Sequence, residues 1–285
     1  MEFIFLFTFV KTAEILPTRN TAPMLFVLMF LFFCIFIIFA FLYLLDVFMD
    51  YSLMTRLAAE MIGTALLIVL GNGAVANVDL KGTKGYGSDW MLIAVGYGFG
   101  VMMPAMIFGG ISGNHINPAF TIALASNGLF PWAEVVPYII AQLIGAAIGQ
   151  LIVVACYKPY YDQTEDVNHV LGTFSTINSV GSKFNGFVNE FFGALGITKA
   201  PFFQDNLGTA HLALGFLVWT LVASLGGPTG PGLNPARDFA PRLVHALLPL
   251  KHKGSSQWGY AWVPVVAPIC AGVVAVFLYK LLFMA

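Results

Sequence analysis

Two asparagines carry the most pointed chemistry in the chain. Asn117-Pro118-Ala119 stands in the first half, at the end of Gly113-Asn114-His115-Ile116. Asn234-Pro235-Ala236 stands in the second, after Gly230-Pro231-Gly232-Leu233 and before Arg237-Asp238. Asn is a good helix N-cap, and Pro suits the first helical turn, where its missing N–H costs nothing. Each tripeptide therefore predicts a helix that starts after a Gly-rich loop. An amide at such a start can donate to a neutral oxygen but cannot attack a bond. Arg237 adds a fixed charge inside an apolar region, which marks a functional position. No nucleophile–base pair, metal-ligand cluster or phosphate loop accompanies these residues, so neither an enzyme nor a cofactor nor a metal is expected.

The elements that must hold these residues follow from composition. Of 285 residues, 59% are apolar, and only 13 are basic and 14 acidic. A soluble domain carries roughly 25% charged residues, so lipid is the expected solvent. The net charge of −1 lacks the basic footprint of a nucleic-acid binder. Cys34, Cys156 and Cys270 lie far apart in apolar runs and are expected to be buried small hydrophobes. Hydropathy predicts spans at 24–45, 57–78, 90–108, 133–157, 207–225 and 258–284, with a weaker one at 187–203. Gly96, Gly98 and Gly100 in one span, and the Gly145/Gly149 pair in another, permit close backbone packing. Lysines are spread over many loops, so charge does not orient the chain.

The tripeptides belong to an internal repeat. Ala59-Glu60-Met61-Ile62-Gly63 is echoed by Asn189-Glu190-Phe191-Phe192-Gly193. The apolar run after each Asn-Pro-Ala is only two to three turns long, too short to cross a bilayer. Two half-helices in two repeats imply inverted topology with a site at the midplane, lined by irregular backbone. Their N-termini each carry about half a positive charge.

With both tripeptides in place, residues 54–285 resemble the aquaporin family. The resemblance implies an all-α membrane protein: an inverted-repeat bundle of six transmembrane helices plus two half-helices, with repeats at 54–157 and 184–285. It implies a homotetramer with one pore per subunit in a cell membrane. Asp238 resembles the glycerol-conducting branch, the aquaglyceroporins, as do Arg242, Pro264, Val265 and the extended loop between Lys158 and Phe187. Carried over by motif, the selectivity filter is Tyr97, Val222, Pro231 and Arg237. Tyr97 stands where this branch usually has Trp, Pro231 where it often has Phe or Tyr, and Val222 where it often has Gly and water channels have His. Glu60 and Glu190 resemble buried glutamates that brace the pore loops. His115 is expected to hold its loop, with a pH-sensing role as the alternative; His211 and His245 are assigned structural roles. Carbonyls of Asn114, His115, Gly230 and Gly232 would replace a solute's hydration shell, with Asn117 and Asn234 donating at the midpoint. The implied function is passive passage of small uncharged solutes such as glycerol, with water. A water-selective pore, a channel for dihydroxyacetone, urea or neutral lactic acid, and an inverted-repeat secondary transporter are the alternatives.

Two stretches depart from the family. Residues 1–53 resemble nothing in it; they read as an added anchor helix, a signal-like segment, or residues ahead of a translation start near Met49 or Met54. The second repeat is also compressed. Glu60 precedes Asn117 by 57 positions, whereas Glu190 precedes Asn234 by 44. The shortage falls just after Gly193, so the fourth family span, about 187–203, is expected to be short or to lack turns.

Overall fold

The computed structural model describes residues 51–197 and 207–283. The predicted N-terminal span at 24–45 and the stretch 198–206 lie outside the described residues. Within them the chain is helical and has no strand. The helices are α1 (Leu53–Asp79), α2 (Trp90–Ser112), α3 (Pro118–Ser126), α4 (Trp132–Gln163), α5 (Val167–Gly172), α6 (Lys183–Ile197), α7 (Leu207–Thr229), α8 (Pro235–Leu247) and α9 (Val263–Phe283). Five are long and apolar enough to cross a membrane: α1, α2, α4, and α7 and α9 over Gly208–Thr229 and Val263–Leu282. The sixth wall, α6, has 15 described residues, about 22 Å of helix against a hydrocarbon core of about 30 Å. The remainder of the predicted 187–203 span lies outside the described residues.

The repeat is visible in the packing. Helix α1 packs on α2 and α4, and α6 packs on α7 and α9. Each half-helix crosses to the other repeat, α3 lying chiefly on α9 and α8 chiefly on α4, while α2 and α7 form the seam. Small residues set these distances. Gly145 and Gly149 of α4 lie on the backbone of α1: a Cβ at either position would run into the Met61 or Ala65 carbonyl oxygen. Gly96 and Gly100 face α1, and Gly98 faces the Gly215 carbonyl of α7. Gly149→Leu is therefore expected to force α1 off α4 and cost about 3 kcal/mol or more. Gly227, where an added Cβ meets nothing, is the control. A thermal-unfolding series on solubilised protein in which Gly149→Leu melts with the parent would refute this reading of the contact.

The outward faces are apolar. Phe99, Met103, Ile140, Ile144, Phe216 and Phe277 are exposed, as lipid rather than water is their solvent. Cys156 and Cys270 are exposed too, which corrects the expectation that they are buried: an apolar residue of a membrane bundle has no need to turn inward. Cys34 lies outside the described residues.

Candidate functional site

The two half-helices begin as their residues dictate. Asn117 caps α3, its Oδ1 accepting from the Ala119 N–H at 2.9 Å. Asn234 caps α8, its Oδ1 accepting from Ala236 (3.0 Å) and Arg237 (3.3 Å). The caps meet. Asn117 Nδ2 donates to the Leu233 carbonyl (3.0 Å), and Asn234 Nδ2 donates to the Ile116 carbonyl (2.7 Å). Each NH2 group keeps its second proton, and both asparagines line a common cavity.

The loops before the caps carry positive-φ residues and hydrogen-bond to the paired glutamates. Ile116 has φ +42° and Leu233 φ +54°, a region that a β-branched residue in particular rarely enters. The N–H groups of His115 and Ile116 donate to Glu60 Oε1 and Oε2 (2.8 and 2.7 Å). Those of Gly232 and Leu233 donate to Glu190 Oε1 and Oε2 (both 2.9 Å). The donors sit two and one residues before the asparagine in both repeats. Gly63 and Gly193, three residues after each glutamate, leave room for the Ile116 and Leu233 side chains. Ser112 Oγ (2.7 Å) and Gln142 Nε2 (2.9 Å) also donate to Glu60, and Thr229 Oγ1 (3.2 Å) to Glu190. Both carboxylates are fully buried.

The cavity occupies about 650 Å³, open space at its mouth included. Tyr97, Val222, Pro231 and Arg237 all line it. Leu67, Val101, Phe120, Leu214 and Val218 add apolar surface to its lining. Asn114, His115 and Gly232 also line it, but Gly230 does not. Gly230, at φ +65°, turns the chain off α7 and returns its N–H to the Gly226 carbonyl. The carbonyls that sit against the asparagines are instead those of Ile116 and Leu233.

Arg237 is buried, with Nη1 donating to the Phe174 carbonyl (3.1 Å) and Nη2 to the Tyr97 hydroxyl. Its guanidinium carbon lies 4.8 Å from the Tyr97 ring centroid. Asp238, also buried, turns away from the cavity. It accepts from Thr176 N–H (2.8 Å) and Oγ1 (2.7 Å) and from Arg242 Nε (2.8 Å). Arg242 donates onward to the carbonyls of Thr176 and Ser256 (both 2.8 Å). This pair pins the segment that presents the Phe174 carbonyl. The stretch from Lys158 to Phe187 is thus not merely an extended loop: it contains the end of α4, all of α5, the pinned segment and the start of α6.

His115 Nδ1 lies 3.1 Å from Thr121 Oγ1, and its ring packs against Phe120, Phe130 and Tyr138. His211 lies against Gly109, and His245 clasps the loop after α8 through Ser256 Oγ (2.8 Å) and the Lys253 carbonyl (3.0 Å). Among the described residues no cluster of His, Cys, Asp or Glu could hold a metal. Sequence reasoning missed Asn72, Gln142 and Gln150. The available signal was an isolated amide in an otherwise apolar span, since a buried amide must be hydrogen-bonded.

Comparison with known proteins agrees with this geometry. The family model described as "Major intrinsic protein" matches residues 48–279. A protein of Lactiplantibacillus plantarum named "Glycerol uptake facilitator protein-like 5" is 53% identical over 241 residues, covering 80% of this chain and 96% of the relative. A Lactococcus lactis protein named "Glycerol facilitator-aquaporin gla" is 48% identical over 290 residues, covering 83% and 100%. The X-ray structure of the aquaglyceroporin from Plasmodium falciparum superposes with a TM-score of 0.72 at 27% identity, covering 81% of this chain and 97% of that one. The five apolar spans make the protein a multi-pass integral membrane protein, and the chain belongs to the major intrinsic protein family.

Proposed function

We propose that the protein is a passive channel for small uncharged hydroxylated solutes, glycerol foremost, and for water. The observation that carries this reading is one cavity lined both by apolar side chains and by the polar groups of the two asparagines, Arg237 and Tyr97. A polyol has both a carbon backbone and a row of hydroxyls, and such a lining offers something to each. Hydroxyls exchange their water shell for successive protein donors and acceptors, so entry is cheap and no single site traps the solute. The positive ends of α3 and α8, together with Arg237, oppose cations. The names of the relatives support glycerol as the solute. Val222 and Pro231 supply neither the histidine of a water-selective filter nor a second aromatic wall, which supports a tolerant bore.

Oligomer assembly is part of the same proposal. Each subunit contains a whole cavity, and the family resemblance supports a homotetramer of such subunits. The test is light-scattering on proteoliposomes challenged with water, glycerol, dihydroxyacetone, urea and lactic acid. Glycerol influx is expected at least tenfold above protein-free vesicles, without saturation at millimolar solute and without a proton gradient. Swelling in glycerol no faster than in an impermeant sugar rejects the proposal, and saturable, gradient-driven uptake transfers the chain to the transporter class.

A further inference from the structure

A buried amide outside the cavity closes a ring of hydrogen bonds around the filter. Tyr97 donates its one hydroxyl proton to Asn72 Oδ1 at 2.6 Å and accepts from Arg237 Nη2. Arg237 Nη1 donates to the Phe174 carbonyl at 3.1 Å, and Asn72 Nδ2 donates to that same carbonyl at 3.1 Å. Arg237, Tyr97, Asn72 and Phe174 thus form a closed circuit drawn from α8, α2, α1 and the segment before α6. Asn72 is fully buried and does not line the cavity. The Phe174 carbonyl can only accept, which fixes the orientation of the amide, and Gln150 Oε1 takes its other proton at 2.6 Å.

We propose that Asn72 is a positioning residue that sets the bore of the filter, acting only through Tyr97 and Arg237. The inference rests on the channel reading above. A tyrosine hydroxyl has one proton and cannot donate to a guanidinium, which has no acceptor. With its proton on Asn72, the hydroxyl turns lone pairs to Arg237 and the cavity. The two filter side chains are then a donor and an acceptor at fixed separation. That pairing suits a hydroxyl, which is both. Gly71, next to Asn72, adds the room in which the Tyr97 ring lies: a Cβ there would overlap the ring. Without Asn72, the Tyr97 hydroxyl loses the acceptor that takes its proton, and the phenol and the guanidinium can part.

The experiment compares the parent, Asn72→Leu, Tyr97→Phe and the double variant in proteoliposomes, normalised to folded copies. The readout is the ratio of glycerol permeability to that of a four-carbon polyol. Asn72→Leu is expected to lower this ratio at least fivefold. Tyr97→Phe, which deletes a single oxygen, is expected to lower it by a similar factor. The double variant is expected to go no lower than Tyr97→Phe alone, because the Tyr97 hydroxyl is the filter group that Asn72 holds. A role in folding alone changes the number of active copies, not the ratio per copy. An Asn72→Leu ratio within twofold of a conducting parent overturns the inference, as does a double-variant effect equal to the product of the single effects. If Asn72→Leu does not fold, the smaller Asn72→Ala decides: a ratio within twofold of the parent's overturns the inference and a fivefold fall supports it. A parent that fails to conduct glycerol at all overturns the channel reading instead, so the two failures are distinguishable.

Discussion

Arg237→Ala is expected to raise cation and proton leak through the reconstituted protein by about two orders of magnitude while leaving glycerol influx within a fewfold of the parent. The estimate follows from Coulomb's law. A univalent cation about 5 Å from the guanidinium, at an effective dielectric constant of about 20, is repelled by about 3 kcal/mol, and each 1.4 kcal/mol is a factor of about ten. The half-helix ends remain and limit the rise. The fold should survive the change, because no buried acceptor is orphaned. The Phe174 carbonyl keeps the Asn72 amide, and the Tyr97 hydroxyl keeps its bond to Asn72 Oδ1. Arg237→Lys separates charge from geometry. An ammonium restores the repulsion but cannot serve two fixed acceptors with a planar fork, so it should suppress ion leak while still admitting longer polyols. Vesicles loaded with a pH-sensitive dye check both variants. Ion leak in Arg237→Ala that stays at the background of the parent would remove the electrostatic role assigned to this residue.

The parts of this site that were legible in the sequence are those set by local rules. Asn-Pro at a helix start is a local steric and capping preference, and both tripeptides do cap helices. The span positions follow from hydropathy, which reports on solvent rather than on partners. The Glu60 and Glu190 echo was legible because an inverted repeat copies its sequence along with its fold. What stayed hidden depends on partners distant along the chain. Asn72 meets Phe174 across 102 positions, and Arg237 meets Tyr97 across 140. No periodicity encodes such a meeting. Helix α5 was hidden for a different reason. It has six residues, capped by the Asp166 carboxylate onto the Asn168 N–H at 2.8 Å, and so short a helix leaves no amphipathic pattern to read. Exposed cysteines were misjudged because the rule that small apolar residues go inward presumes water outside.

The largest structural effect should come from Glu60. Its carboxylate receives four donors, two of them backbone N–H groups of a loop that holds Ile116 at φ +42°. Backbone held in such a region costs of order 1–3 kcal/mol and persists only when its surroundings over-determine it. Each N–H left unpaired by Glu60→Leu adds about 1–3 kcal/mol. Two such losses, about 2–6 kcal/mol, reach the lower end of the whole stability of a typical domain, about 5–15 kcal/mol. Even the near-isosteric Glu60→Gln is expected to fail: its NH2 must face one of the two backbone N–H groups, donor against donor. Glu190→Gln meets the same conflict at Gly232 and Leu233 but with a smaller penalty. Leu233 is not β-branched, and among the described residues one side chain, Thr229, donates to Glu190. The expected order of melting temperature for solubilised protein is therefore parent, Glu190→Gln, Glu60→Gln. The last should fall on the order of 10 °C below the first, with glycerol influx near the lipid background. Glu60→Gln protein that melts with the parent and conducts glycerol as fast would mean that the strained loop holds itself, and that the glutamate is only a neighbour of the conduit.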